Sequence, residues 1–301
     1  MKVQLAGTEL EMGGPYLGEM RESNDLTGDP DRLRERLDED GYLLLRGIQN
    51  PGLVLDARRE ILEGLREVGA LEPGTPLDDA RISTQIEARE NLPGMSELTS
   101  TLRSSDAVTR VAKSAEIMGF LEVFLGGPVV TFDYKWLRMV GTGSSTGVHY
   151  DIVYMSKGTQ NLHTVWCPFG EVSLELGGLA VCAGSQNWHK VRDTYGNMDV
   201  YRDGIEGDLS TDPVELVDKY GGEWKATSYQ PGDVVIFGMF TAHASLANQT
   251  GRYRLSMDSR YQLASEPIDE RWMGHDQFEE DSEILRETTT SIETARREWG
   301  I

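Results

Sequence analysis

Apolar positions recur with helical spacing through much of the first 126 residues and then give way to short, strand-like runs. Leu33 and Leu37 stand i, i+4 apart behind Asp31, a spacing that places both on one helical face, and Gly41 ends the pattern. Tyr42 to Leu45 reads as a short strand. Pro51 marks a helix start, and Val54, Ala57, Ile61, Leu65 and Val68 keep one apolar stripe until Gly69. A further stripe through Val108, Val111, Ala112, Ala115 and Met118 runs towards Gly126-Gly127-Pro128. Stripes of this kind are buried faces, so residues 1–128 are expected to form a helical scaffold with a few strands.

From Val129 the texture becomes β-rich, with glycine-bearing turns between runs, as in a sandwich or barrel. The runs are Val129 to Val140, Leu162 to Pro168, Gly178 to Cys182, Val234 to Phe237 and Tyr253 to Tyr261. Within this core, 129–264, the stretch 186–224 is polar and aperiodic, as expected of a lid or binding loop. Residues 265–301 are charged and helical again. No internal repeat interrupts the chain, and 301 residues with 39% hydrophobic content suffice for one domain with a substantial core.

Fifty acidic against 29 basic residues leave a formal net charge of −21, which repels nucleic-acid backbones and anionic lipid. Neither is expected as a partner. No window approaches the roughly 20 apolar residues of a membrane helix, and the first thirty residues lack a basic-then-apolar leader, so the expected location is the cytoplasm. Cys167 and Cys182, the only cysteines, lie in apolar runs and are expected to be inert core thiols.

Five histidines remain as candidate chemistry. In His149-Tyr150-Asp151 an imidazole and a carboxylate are two residues apart, so on a strand both face the same way. Such a triplet is common by chance in an Asp-rich chain. A third donor must come from elsewhere, and His243 follows the β-like run that begins at Asp233. Two imidazoles and one carboxylate on a triangular face leave three positions of an octahedral iron(II) open, enough for a bidentate co-substrate and dioxygen. His163, at a strand start, is expected to pack, and His275 to face solvent. Tyr150 and Tyr154 beside the triplet, with Trp188 and His189 at the entrance to the polar stretch, are candidate substrate contacts.

Further stretches join these residues: Lys135-Trp-Leu-Arg, Thr146-Gly-Val-His-Tyr-Asp, Gly177-Gly-Leu-Ala-Val-Cys-Ala-Gly-Ser, Pro231-Gly-Asp, and His243-Ala-Ser-Leu-Ala-Asn followed by Arg254-Leu-Ser. In content and order they resemble the phytanoyl-CoA dioxygenase-like family of iron(II)/2-oxoglutarate-dependent oxygenases, over roughly Val129 to Gln262 and more faintly from Asp40. The resemblance implies a mainly β fold with flanking helices, a double-stranded β-helix (a cupin-like jelly-roll), with iron(II) on His149, Asp151 and His243 inside its mouth. It implies that Arg254, eleven positions after His243, grips the far carboxylate of 2-oxoglutarate; Arg252, two residues earlier and expected on the same strand face, is its rival. Ser245 would add a hydroxyl, and Tyr134 and Trp166 would line the co-substrate.

The implied reaction consumes O2 and 2-oxoglutarate, releases succinate and CO2, and hydroxylates an unactivated C–H bond of a small molecule such as an amino acid or natural-product intermediate. Relatives that halogenate carry a small residue at the position of Asp151, which is intact here. Desaturation, cyclisation and epimerisation use the same ligands. A metal-binding jelly-roll protein without oxygenase activity is the reading from another class, and no pattern in the chain specifies an oligomeric state.

Overall fold

The computed structural model describes residues 1–84, 93–274 and 290–301; His275 lies outside them. Twelve strands and nine α-helices are described. The strands are β1 Lys2–Leu5, β2 Thr8–Glu11, β3 Leu17–Glu19, β4 Tyr42–Leu45, β5 Val129–Thr131, β6 Trp136–Val140, β7 His163–Pro168, β8 Leu179–Ala183, β9 Glu223–Ala226, β10 Val234–Gly238, β11 His243–Ser245 and β12 Arg254–Leu263. Ten of them form two facing sheets. The larger runs β4-β10-β7-β12-β5, with β6 also paired to β12, and the smaller runs β11-β8-β9-β3. This is the jelly-roll expected from the resemblance.

Residue alternation explains why the sheets face each other. Along β12, Leu255, Met257 and Tyr261 join the core beneath the helices, while Arg254, Ser256, Asp258 and Arg260 face the interior of the roll. Along β7, Val165 and Cys167 belong to the helix side and Trp166 to the interior. Tyr42, Leu44, Trp166, Val235 and Phe237 from the larger sheet meet Leu179 and Val181 from the smaller one, closing the roll around an apolar layer.

Helices α1 Pro30–Asp40 and α2 Pro51–Glu67 begin at the prolines, capped by Asp29 and Asn50, and α1 stops at Gly41 in the left-handed conformation. After α3 Met95–Arg103, the stripe from Val108 to Met118 proves to be two helices, α4 Asp106–Ala112 and α5 Ala115–Leu125. Ser114 divides them, its hydroxyl accepting from Ile117 N as the cap of α5.

The stretch 186–224, expected to be aperiodic loop, is largely built of short packed helices. α6 His189–Asp193, α7 Val200–Asp203 and α8 Pro213–Tyr220 bring Val191, Val200 and Leu216 into a core behind the smaller sheet, joined by Trp188, Tyr195, Leu209 and Trp224. Gln186 ties the stretch to α1 by donating to the Asp38 and Glu39 carbonyls. The C-terminal α9 Ile292–Trp299 adds Ile292 to that core. Among the described residues no helix is long and apolar enough to cross a membrane.

The β1–β2 hairpin was not foreseen in a region read as helical. Its turn residues, Ala6 and Gly7, have φ of 46° and 86°, the mirror-image geometry that suits a two-residue hairpin. Both cysteines are buried, and burial pushes their thiols well above the usual range.

Candidate metal centre and adjoining cavity

The segment ahead of the first histidine crosses the mouth of the roll. Val148 bridges Ser210, and His149 bridges His243 of β11 through two backbone hydrogen bonds of 3.1 Å. Tyr150 is extended (φ −100°, ψ 139°), so Asp151 returns to the side of His149 before a 3-10 turn begins. His149, Asp151 and His243 thereby converge, with one donor atom from each lying within 4.8 Å of the others.

The imidazoles are oriented by their own chain. Nδ1 of His149 lies 3.0 Å from the Gly147 carbonyl and Nδ1 of His243 lies 3.0 Å from the Thr241 carbonyl. A carbonyl can only accept, so each Nδ1 carries the proton and each Nε2 lone pair is left for a metal. The Nε2 atoms stand 3.9 and 3.7 Å from Oδ1 of Asp151. Burial, reinforced by the neighbouring His243, pushes His149 down to about 4, which keeps it neutral near pH 7.

Asp151 is 2% exposed and is fixed from the larger sheet. Thr164 of β7 donates to Oδ2, and Nη2 of Arg260 on β12 donates to Oδ1 at 3.0 Å. Burial would raise this carboxyl, but Arg260 and the two imidazoles outweigh it and hold the group well below the usual carboxylate range. The centre therefore offers one carboxylate and two imidazole Nε2 atoms, a donor set that fits a divalent metal such as iron(II).

Further along the interior of β12, Arg254 is 2% exposed. Nε donates to the Gly177 carbonyl at 3.0 Å and Nη1 to the Ser256 hydroxyl at 2.5 Å. No acidic side chain among the described residues pairs with it, and burial pulls its guanidinium down to about 10. Gly177 serves this contact for steric reasons. Its φ is +86°, and a Cβ would lie 2.4 Å from the Leu246 carbonyl oxygen.

The remaining expected site residues divide. Ser245 is buried near this region, but its hydroxyl accepts from Thr146 N at 2.9 Å and lies 3.2 Å from the Thr146 hydroxyl. Trp166 packs on Tyr229 between the sheets, ring centroids 4.6 Å apart. Tyr134 and Tyr154 line a cavity of about 600 Å³ that opens beside His149 and Asp151. Tyr154 meets the His149 ring edge-on at 5.8 Å.

Four expectations are corrected. Tyr150, one residue out of phase with the ligands, points into the core behind the smaller sheet, where its hydroxyl donates to Ser185 O. Trp188 is buried with Nε1 donating to Gly221 O, and His189 is exposed at the start of α6; neither lines the cavity. Arg252 does not share the face of Arg254. The strand begins only at Arg254, and Arg252 is exposed, donating to the Asp79 carbonyl at 2.7 Å.

Sequence reasoning missed Thr164, Arg260, Arg103, Trp136, Tyr201, Asp208 and Trp272, of which all but Thr164 line the cavity. Thr164 and Arg260 carried a signal, because each is an even number of residues from Trp166 or Arg254 on the same strand. Arg103 carried none, since only the packing of α3 brings it there.

The family model for phytanoyl-CoA dioxygenase matches residues 37–256. The chain is 29% identical over 266 residues to 1-deoxypentalenic acid 11-beta-hydroxylase of Streptomyces exfoliatus, covering 80% of this chain and 83% of that enzyme. Its fold is similar to that of EctD from S. alaskensis in its apoform (TM-score 0.54, 20% identity, 85% of this chain and 84% of that one). It is likewise similar to the epimerase SnoN in complex with Fe3+, alpha ketoglutarate and nogalamycin RO (TM-score 0.51, 20% identity, 83% and 88%). With more than half of its residues matched by the family model, the chain belongs to the phytanoyl-CoA dioxygenase family.

Proposed function

We propose that His149, Asp151 and His243 hold iron(II), that Arg254 grips the far carboxylate of 2-oxoglutarate, and that the chain hydroxylates an unactivated C–H bond of a small molecule. The observation that carries this reading is the combination of an ionised carboxylate and two Nε2-presenting imidazoles with a buried guanidinium that forms no ion pair among the described residues, inside the same roll. A buried guanidinium with no anionic partner is costly, and a ligand carboxylate relieves that cost. Membership in the family and the hydroxylase relative support hydroxylation over the other outcomes open to such a centre.

Held by His149, Asp151 and His243, iron(II) would activate O2, the oxidant, whose two oxygen atoms end in the hydroxylated product and in succinate as 2-oxoglutarate loses CO2. The protein's part is positional. The Gly147 and Thr241 carbonyls hold the two imidazoles in the binding tautomer. Thr164 and Arg260 keep Asp151 from turning away. Gly177 and Ser256 hold the fork of Arg254 in the plane a carboxylate needs. The aromatic walls of the cavity, among them Trp136 and Tyr154, exclude water and enclose the substrate.

The test is metal analysis after anaerobic reconstitution, joined to a succinate-release assay. One iron per chain and 2-oxoglutarate-dependent succinate are expected. Metal binding without any 2-oxoglutarate turnover would favour a binding protein instead.

A further inference from the structure

Arg260 is 2% exposed, yet only one of its nitrogens is used. Nη2 donates to Asp151, while Nε and Nη1 are buried without a hydrogen-bond partner, and the residue lines the cavity. Its guanidinium lies 4.3 Å from the centre of the Trp136 ring, which fixes the plane of the fork. Arg103 approaches the same cavity from α3. It lies over Tyr134 at 3.9 Å, its Nε is also buried without a partner, and no acid pairs with it among the described residues. Arg138, the third cation of the wall, is already paired with Asp258 at 3.2 Å. Among the described residues the acids on the wall are Asp151, already engaged by Arg260, and Asp208, which is exposed. In a chain of net charge −21, two guanidiniums with unmet donors are concentrated in this one cavity.

These donors are separate from the one proposed for 2-oxoglutarate. Arg254 and Arg260 are six residues apart on β12, roughly 20 Å along the strand, and Arg254 is not part of the cavity wall. A co-substrate held at Arg254 leaves Arg260 unsatisfied.

Resting on the oxygenase reading above, we infer that the primary substrate is a small free carboxylic acid. Its carboxylate is held by Arg260 and Arg103 and its carbon skeleton lies against Trp136 and Tyr154. Two planar forks suit a carboxylate, and the aromatic faces suit an apolar ring or chain. A coenzyme A or carrier thioester would mask the carboxylate, so the acid enters unactivated. Arg260 is a positioning residue for Asp151 and a binding residue for the substrate at once.

The experiment uses full-length protein loaded with Mn(II) and 2-oxoglutarate, titrated with cyclohexanecarboxylate, its primary amide, benzoate, phenyl phosphate and benzoyl-coenzyme A. Binding is read by calorimetry and by quenching of tryptophan fluorescence, since Trp136 and Trp272 line the cavity. The expected result is preference for the acid over the amide by roughly tenfold or more, largely lost in Arg103→Gln and in Arg260→Gln, with 2-oxoglutarate affinity in Arg103→Gln unchanged. Arg103→Gln keeps the test decisive should Arg260→Gln fail to fold. Equal binding of acid and amide, or no binding of any acid at millimolar concentration, overturns the inference while 2-oxoglutarate binding leaves the oxygenase reading intact. Tighter binding of phenyl phosphate or of the thioester overturns the assignment to a free carboxylate. Failure to bind 2-oxoglutarate would instead overturn the reading beneath it.

Discussion

Replacing Arg254 by Met removes the guanidinium while keeping most of the buried length of the side chain. In the ligand-free protein two effects oppose each other. Burial pulls the group down to about 10, corresponding to roughly 3 kcal/mol against the charged form. The bonds to Gly177 O and Ser256 Oγ return a comparable amount, at roughly 1.5–3 kcal/mol for each bond to a charged group. The variant is therefore expected to fold with a melting temperature close to that of the parent.

The ligand-bound protein has no such cancellation. Truncating one side of a buried, hydrogen-bonded charge pair costs on the order of 2–5 kcal/mol, or about 30-fold to several-thousand-fold in affinity. Calorimetric titration of 2-oxoglutarate into Mn(II)-loaded enzyme measures the loss, with metal affinity followed in parallel. Arg252→Ala serves as the control, because that residue is exposed and its side chain donates to the Asp79 carbonyl. Unchanged 2-oxoglutarate affinity in Arg254→Met, or a larger effect from Arg252→Ala, would refute the assignment.

Four further outcomes are expected. His149→Ala and His243→Ala should each abolish stoichiometric iron binding, measured by metal analysis after anaerobic dialysis; retained iron in either would show a different ligand set. Thr164→Val removes the hydroxyl on Asp151 Oδ2 and should weaken metal affinity by about tenfold or more while leaving the fold intact, since outer partners of ligands commonly matter 10–100-fold. Lys135, 2% exposed, is pulled down to about 8 from 10.5 by burial and by the neighbouring charge of Lys113. The unfolded chain then binds the extra proton between those values, so stability rises with pH across that window, by up to about 3 kcal/mol. Lys135→Met should flatten that rise in urea melts, and an unaltered pH profile would count against it. Hydrogen exchange in residues 199–210, which carry Tyr201 and Asp208 to the cavity, should slow when substrate and co-substrate are both present; equal exchange in all states would argue that this stretch is fixed wall.

The strands were legible where a period of two coincided with burial on one or both sides, as in His163–Pro168 and Val234–Gly238. The same period read His149 and Asp151 onto one side, and it also required Tyr150 to face the other way. The β1–β2 hairpin escaped because its Ala-Gly turn lacks the Asn or Asp that usually signals such geometry. The stretch 186–224 was misread because helices of four to eight residues are too short to display a period. Its buried positions, such as Trp188 and Leu209, are set by tertiary contact with the smaller sheet. Arg252 was misjudged because alternation was extended past the point where β12 begins.

The shared guanidinium of Arg260 makes metal and substrate energetically interdependent. A carboxylate taking an idle nitrogen of that guanidinium neutralises part of the charge that now compensates Asp151, leaving the Asp151 carboxylate a stronger donor to a cation. A cation on Asp151 in turn frees the guanidinium for an incoming anion. Thermodynamic reciprocity requires the two effects to be equal, and couplings of this kind are on the order of 1–3 kcal/mol. The oxidising centre is then held most firmly when a molecule fit to be oxidised is in place, and an empty cavity leaves it easier to lose.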